Sequence, residues 1–234
     1  MKTGSSLKRR DFLRITGGAV SLFAGTSRIS AADAAEGSEG DSRPVKRDSA
    51  RIKRLLDQMD SRGYRFWSVP RKDGEFLHFF VKAIRAKSVL EVGTSQGVSA
   101  IWMGLALGET GGRLTTIEID RERYNTARKN IEEAGMLNRV TPILGDGHAE
   151  LAKLDGPFDF VFLDADKEGQ VDYFNKLYPK KLLPGGVLAV HNAIQQASSM
   201  RDYLDLVRKH PAFDTVTLSA TLDDGFCLSY RHRV

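Results

Sequence analysis

The stretch Lys87–Ser99, KSVLEVGTSQGVS, decides how the rest of the chain is read. Ser88–Val92 is an apolar run carrying one acid, Glu91. Gly93 and Gly97 follow at a four-residue spacing, and Val98–Leu107 continues as an apolar, helix-like segment. Strand, glycine-rich turn and helix, in that order, is how an open α/β sheet builds a site for a nucleotide-like ligand. Glycines let the backbone turn tightly and approach the ligand. The helix N-terminus then offers free N–H groups to an anion. The turn is not the dinucleotide fingerprint G-x-G-x-x-G, because Ser95 stands at its second glycine position. A strand–glycine–helix turn that only packs is the competing interpretation of this stretch alone.

Working outward toward the N-terminus, Gly74–Ile84 reads as a helix, and Tyr64, Phe66 and Trp67 lie in a loop ending at Val69-Pro70. Ile52, Leu55, Leu56 and Met59 recur at helical spacing, which predicts an amphipathic helix over Arg51–Met59. Residues 35–50 are polar and Gly/Ser-rich and read as a flexible linker. Residues 1–34 combine Arg9-Arg10, Phe12-Leu13, a short mildly apolar segment and Ala32-Asp33-Ala34. That pattern resembles a twin-arginine export signal with a small-x-small cleavage site. The domain is therefore expected over residues 51–234, in a protein exported to the periplasm or beyond.

Charge supports the same division. The chain carries +5, of which +4 falls in residues 1–34, so the remainder is nearly balanced at +1. A basic surface for nucleic acid is not indicated. The single cysteine, Cys227, excludes an intrachain disulfide. No run approaches a membrane span. A homodimer is left open.

Toward the C-terminus, strands are predicted over Leu114–Ile117, Val140–Leu144, Phe158–Leu163, Val187–Val190, Thr215–Ser219 and Phe226–Tyr230. Helices are predicted over Arg121–Ala134, Val171–Tyr178 and Met200–Lys209, and Pro184-Gly185-Gly186 reads as a turn. The alternation gives an α/β class with a mainly parallel sheet. In such sheets ligands bind beyond the C-terminal strand ends. Those ends carry Glu91 and Gly93, then Glu118, then Asp146, then Asp164 to Lys167, then His191 and Asn192. Glu118 suits the two hydroxyls of a ribose, and Asp146 an adenine amino group or, equally, a plain turn. Asp164, His191 and Asn192 offer a carboxylate, an imidazole and an amide to one divalent ion. Lys167, beside such an ion, is placed to take a proton from a hydroxyl.

The spacing E-x-G-x-x-x-G resembles motif I of the class I S-adenosylmethionine (SAM) methyltransferases. Together with LTTIEID, VTPILGDG, FDFVFLDADK, LLPGGVLAVHN and DGFCLS, in order, the chain from Val69 onward is similar to the cation-dependent O-methyltransferases that include catechol and caffeoyl-CoA O-methyltransferases. The resemblance implies a seven-stranded, mainly parallel, Rossmann-like sheet with helices on both faces and an antiparallel last strand. It implies that Val69, Glu91, Gly93, Ser95, Gly97 and Ser99 surround the methionine part of SAM. It places Glu118 at the ribose with Ile119 also against the cofactor, Asp146 and Gly147 near adenine, and Asp164 at both metal and sulfonium. Lys167 matches the catalytic base. One departure stands out: the family has Asp-Asn where this chain has His191-Asn192. Losing one acid weakens a Mg²⁺ site, while Mn²⁺ or Zn²⁺ tolerates an imidazole better; alternatively the site is empty and His191 acts as a metal-independent base. The implied activity is methyl transfer to a small aromatic, catechol-like hydroxyl. A methyltransferase with another acceptor, and an exported SAM-fold binding protein without turnover, are the alternatives.

Overall fold

Seven strands and seven helices make up the described part of the chain, which in this computed structural model is residues 43–61, 67–219 and 224–233, with side chains from residue 50 onward. The expected export signal, residues 35–42 of the expected linker, Tyr64 and Phe66 lie outside the described residues. In chain order the elements are α1 (Arg43–Ser61), α2 (Arg71–Ala83), β1 (Ser88–Val92), α3 (Val98–Thr110), β2 (Arg113–Glu118), α4 (Arg121–Glu133) and β3 (Val140–Leu144). They continue with α5 (Gly147–Lys153), β4 (Phe158–Leu163), α6 (Gln170–Leu177), β5 (Leu182–His191), α7 (Arg201–Lys209), β6 (Phe213–Leu218) and β7 (Phe226–Arg231). Helix α1 starts at Arg43, so positions 43–50 of the expected linker are helical backbone. Among the described residues no helix is long and apolar enough to cross a membrane.

The sheet order is β3-β2-β1-β4-β5-β7-β6. Strands β1 to β5 pair in parallel, and β7 runs antiparallel to both of its neighbours. Strand periodicity sorts the core into two layers. Val89, Phe160, Phe162 and Ala189 face a cluster built with α1 to α4. Leu90, Val92, Val161, Leu163 and Val190 face a second cluster built with α5, α6 and α7. Phe160, Val161, Phe162 and Leu163 are all fully buried. Each such side chain contributes about 2 kcal/mol of hydrophobic stabilisation, which makes β4 the anchor of the sheet centre.

The order of strands 2-1-4 puts the crossover reversal between β1 and β4, the place where such sheets open a crevice. Register keeps the strand ends level there, with Val92 opposite both Ile117 and Leu163, and Leu163 opposite Val190. The expected Pro184-Gly185-Gly186 turn sits inside β5. Phe158 pairs with Leu182 but Phe160 pairs with Val187, so β5 inserts three residues more than β4 over that step, and Pro-Gly-Gly forms the bulge.

Candidate active site

The glycines of the β1–α3 turn hold it where only glycine fits. Gly93 has φ +100°, and a Cβ there would stand 2.3 Å from the Asp164 carbonyl oxygen. Gly97, at φ 91°, caps the start of α3. Ser95, at the position where a dinucleotide fold has glycine, is itself left-handed with φ 52°. That conformation aims its N–H at Glu118 Oε2, 2.7 Å away, while Asp120 N donates to Oε1 at 2.9 Å. The carboxylate of Glu118 is thereby fixed at the end of β2 with its remaining lone pairs free for hydroxyl donors. Asn130 Nδ2 from α4 donates to Gln96 O at 2.9 Å and pins the turn from below.

A cavity of about 720 Å³ opens at this edge. Its walls hold most of the expected cofactor residues: Val69, Gly93, Ser95, Glu118, Ile119, Asp146, Gly147 and Asp164. The expected catalytic and metal residues Lys167, His191 and Asn192 line it too, with Trp67 on the rim at 74% exposure. Glu91, Gly97 and Ser99 do not reach the wall; they support it from behind. Asp146 is first a helix cap: its Oδ1 accepts from His148 N at 2.8 Å and starts α5, a helix that the sequence periodicity does not reveal. Gly147 is needed there because a Cβ would meet Val92 Cγ1 at 2.4 Å. Tyr173 lines the same end of the cavity, stacked on His148 with ring centroids 4.0 Å apart and donating to Asp166 Oδ1 at 2.8 Å.

Behind the turn, Glu91 is wholly buried. Thr116 Oγ1 donates to its Oε2 at 2.5 Å, with the Thr94 hydroxyl hydrogen-bonded to Thr116 in turn. Its Oε1 has no hydrogen-bond partner. Burial pushes this carboxyl up to about 7 against the pull of the Ser99 and Thr116 hydroxyls, and the Asp164 and Glu118 charges add to the rise. A buried, unpartnered carboxyl oxygen behind the methionine end fits a ligand that brings an ammonium group. With the pre-oriented Glu118, it makes the residues present suited to SAM.

At the other end runs a chain of alternating charge. His191 Nε2 lies 2.9 Å from Asp73 Oδ2, and its Nδ1 lies 3.3 Å from Asp164 Oδ1. Lys167 Nζ donates to the same Asp164 Oδ1 at 2.8 Å. Burial alone would raise the Asp164 carboxyl, but the Lys167 and His191 charges hold it down at about 2. Burial alone would lower the His191 imidazole, but Asp164 and Asp73 lift it to about 9. Asp73 is a functional candidate that the sequence did not signal. It lies in the first turn of α2, 118 residues from His191, and nothing local separates it from an acid that merely favours a helix N-terminus.

The three side chains expected to hold a metal are engaged with one another and with their neighbours. Asp164 and His191 do meet, but as an ion pair, with both ring nitrogens already facing carboxylates. Asn192 Nδ2 points toward Gln195 Oε1 and Asp224 Oδ1, 3.4 Å from each. An open set of oxygen donors for a hard cation is not what these three side chains form, and they do not fit the divalent ion that the resemblance implies.

Residues 44–220 match the family model described as O-methyltransferase. A catechol O-methyltransferase from Mycobacterium tuberculosis is 33% identical over 177 residues, covering 69% of this chain and 80% of that protein. A caffeoyl-CoA O-methyltransferase from Stellaria longipes is 30% identical over 154 residues, and the match spans 63% of each. An O-methyltransferase from Bacillus cereus, solved in complex with S-adenosylhomocysteine, superimposes with a TM-score of 0.70 at 26% identity, covering 78% of this chain and 90% of that one.

Proposed function

The chain belongs to the O-methyltransferase family, and from that premise we propose that it methylates a hydroxyl of a small aromatic, catechol-like acceptor. The observation that carries this reading is the Lys167–Asp164 pair at 2.8 Å, set beside the Gly93 turn in the same cavity as Glu118. SAM, when bound, would supply an electrophilic methyl group with its sulfur as the leaving group.

The residues divide that task. Glu118 holds the two ribose hydroxyls, and the Gly93 turn with Glu91 holds the methionine end. Ionised Asp164 sets a negative charge toward the sulfonium end of the cavity. Lys167, in its neutral form, takes the proton of the acceptor hydroxyl, so that the attacking oxygen carries the electron density the displacement needs. Trp67 offers an aromatic face at the rim, where a ring-bearing acceptor enters. The cavity aligns oxygen with methyl and excludes competing water.

Calorimetric titration with SAM, followed by a catechol turnover assay, tests the reading. Lys167→Ala is expected to lower kcat about 100-fold or more while the SAM Kd stays within about threefold. Full turnover by that variant ends the assignment of Lys167, and failure to bind SAM removes the whole reading. Export stays a separate proposal: residues 1–40 fused to a folded reporter should carry it out of the cytoplasm, and a retained reporter refutes it.

A further inference from the structure

The side chains of Asp73, His191, Asp164 and Lys167 are 1%, 4%, 13% and 11% exposed, so their charges must be compensated within the protein. An imidazole ligates a metal only through a nitrogen that carries no proton. Neither nitrogen of His191 is spare, because each faces a carboxylate. An ionised carboxylate accepts and cannot donate, so both contacts are satisfied together only when both nitrogens carry protons. The ring is also held in place. It packs against Phe226 with centroids 5.0 Å apart and against Phe162 at 6.1 Å. With an imidazolium at its centre these four side chains carry two negative and two positive charges, so each buried carboxylate of the chain already faces a cation of the protein's own.

Among the described residues a further acid beside His191 is Asp224, just before β7, whose negative charge lies outside the alternating chain. Its carboxylate, that of Asp73 and a nitrogen of His191 lie within 4.8 Å of one another. A dication seated there would have to displace a proton from His191 and break its contact with Asp73.

We propose that this protein works without a divalent cation, with the imidazolium of His191 built in as the fixed positive charge at the acceptor end of the cavity. The inference rests on the O-methyltransferase reading of the same site and adds no co-reactant to it. The bond formed is acceptor oxygen to methyl carbon, the bond broken is sulfur to methyl carbon with its electron pair left on sulfur, and the hydroxyl proton passes to Lys167 after its resting ammonium, which donates to Asp164, has released a proton to bulk water. His191 is a positioning residue: it fixes Asp164 and touches no reacting atom.

The test begins with the full chain, stripped with a chelator and titrated calorimetrically with Mn²⁺ and Zn²⁺. No stoichiometric binding at micromolar metal is expected, and catechol turnover with SAM should change by less than about twofold on adding Mg²⁺ or Mn²⁺. One ion bound per chain, or stimulation of about tenfold or more, overturns the proposal. Loss of that binding in Asp224→Asn would then place the ion on the Asp73–His191–Asp224 group. His191→Asp is the converse variant. It should acquire a Mn²⁺ site and about tenfold stimulation by the metal. A folded His191→Asp that still ignores Mn²⁺ refutes the role given to His191. If that variant fails to fold, the wild-type titration decides by itself. Absence of catechol turnover with SAM bound counts against the acceptor, and the metal titration still reads this inference directly.

Discussion

Replacing Glu91 with Gln should make the protein more stable in alkaline solution and leave it nearly unchanged in acid. Glu91 is fully buried, with one oxygen bonded to Thr116 and the other without a partner. Burial lifts its carboxyl from 4.5 to about 7, and the Asp164 and Glu118 charges add to this, against the opposing Ser99 and Thr116 hydroxyls. Because the folded value lies above the unfolded one, the folded chain holds this proton more tightly. The contribution to stability is fully present below about pH 4.5 and is lost as pH rises through about 7. A lift of that size corresponds to about 3 kcal/mol. The amide of Gln keeps the shape and never ionises, so Glu91→Gln should remove this loss. Urea unfolding of both proteins at about pH 5 and about pH 8.5 gives the comparison. The stability difference between variant and wild type should move in the variant's favour by about 2–3 kcal/mol from the lower to the higher pH. Taking that difference cancels every other titrating group. A ΔΔG that agrees at the two pH values within about 0.5 kcal/mol refutes the argument. Saturating SAM should shrink the wild-type loss, because a cation bound in the cavity in front of Glu91 favours the ionised carboxylate behind the wall.

Two further substitutions probe the cofactor turn. Glu118→Gln exchanges an acceptor-only carboxylate for an amide whose nitrogen cannot accept from a ribose hydroxyl, and it disturbs the bonds from Ser95 and Asp120. The SAM Kd should weaken by about 10- to 100-fold by calorimetry, and a change under about threefold would remove Glu118 from the ribose. Gly93→Ala places a methyl 2.3 Å from the Asp164 carbonyl oxygen at a φ of +100°. It should cost about 2–4 kcal/mol in urea unfolding, and an unchanged midpoint would mean that the turn relaxes freely.

How much of this was legible in the sequence depends on how local the cause is. Strand β4 shows itself as Phe158–Leu163 because a strand buried on both faces is nearly all apolar, whereas the edge strand β3 matches its expected span with only Val140 buried, its end marked by Gly145. Helix α5 is hidden because seven residues with Leu151 as the main buried apolar anchor give no measurable period. Pro184-Gly185-Gly186 misleads because turn residues also build bulges, and only pairing with β4 shows which. In the site, residues at strand ends were legible by position, since Glu118, Asp164 and His191 each follow an apolar run. Asp73 was not, because its importance arises from packing α2 against the end of β5. His191 was visible as a departure, but its consequence was not: a lone imidazole reads as a ligand until the acid on its far side is located.

That far-side acid also explains how two carboxyls so near each other differ so widely. Glu91 in β1 and Asp164 just past the end of the neighbouring β4 interact electrostatically, yet one is pushed up to about 7 and the other held down at about 2. Burial acts on both in the same direction. The difference is the company each keeps: Glu91 has hydroxyls, whereas Asp164 has Lys167 on one side and His191 on the other. Asp73 in turn supports the charge on His191, so an acid at the start of α2 acts on Asp164 through one imidazole. A cavity that must face a sulfonium needs one carboxylate ionised at all working pH values, and it cannot leave a second one charged and bare behind the first without loss of stability. The alternating chain meets the first requirement. The proton on Glu91 meets the second.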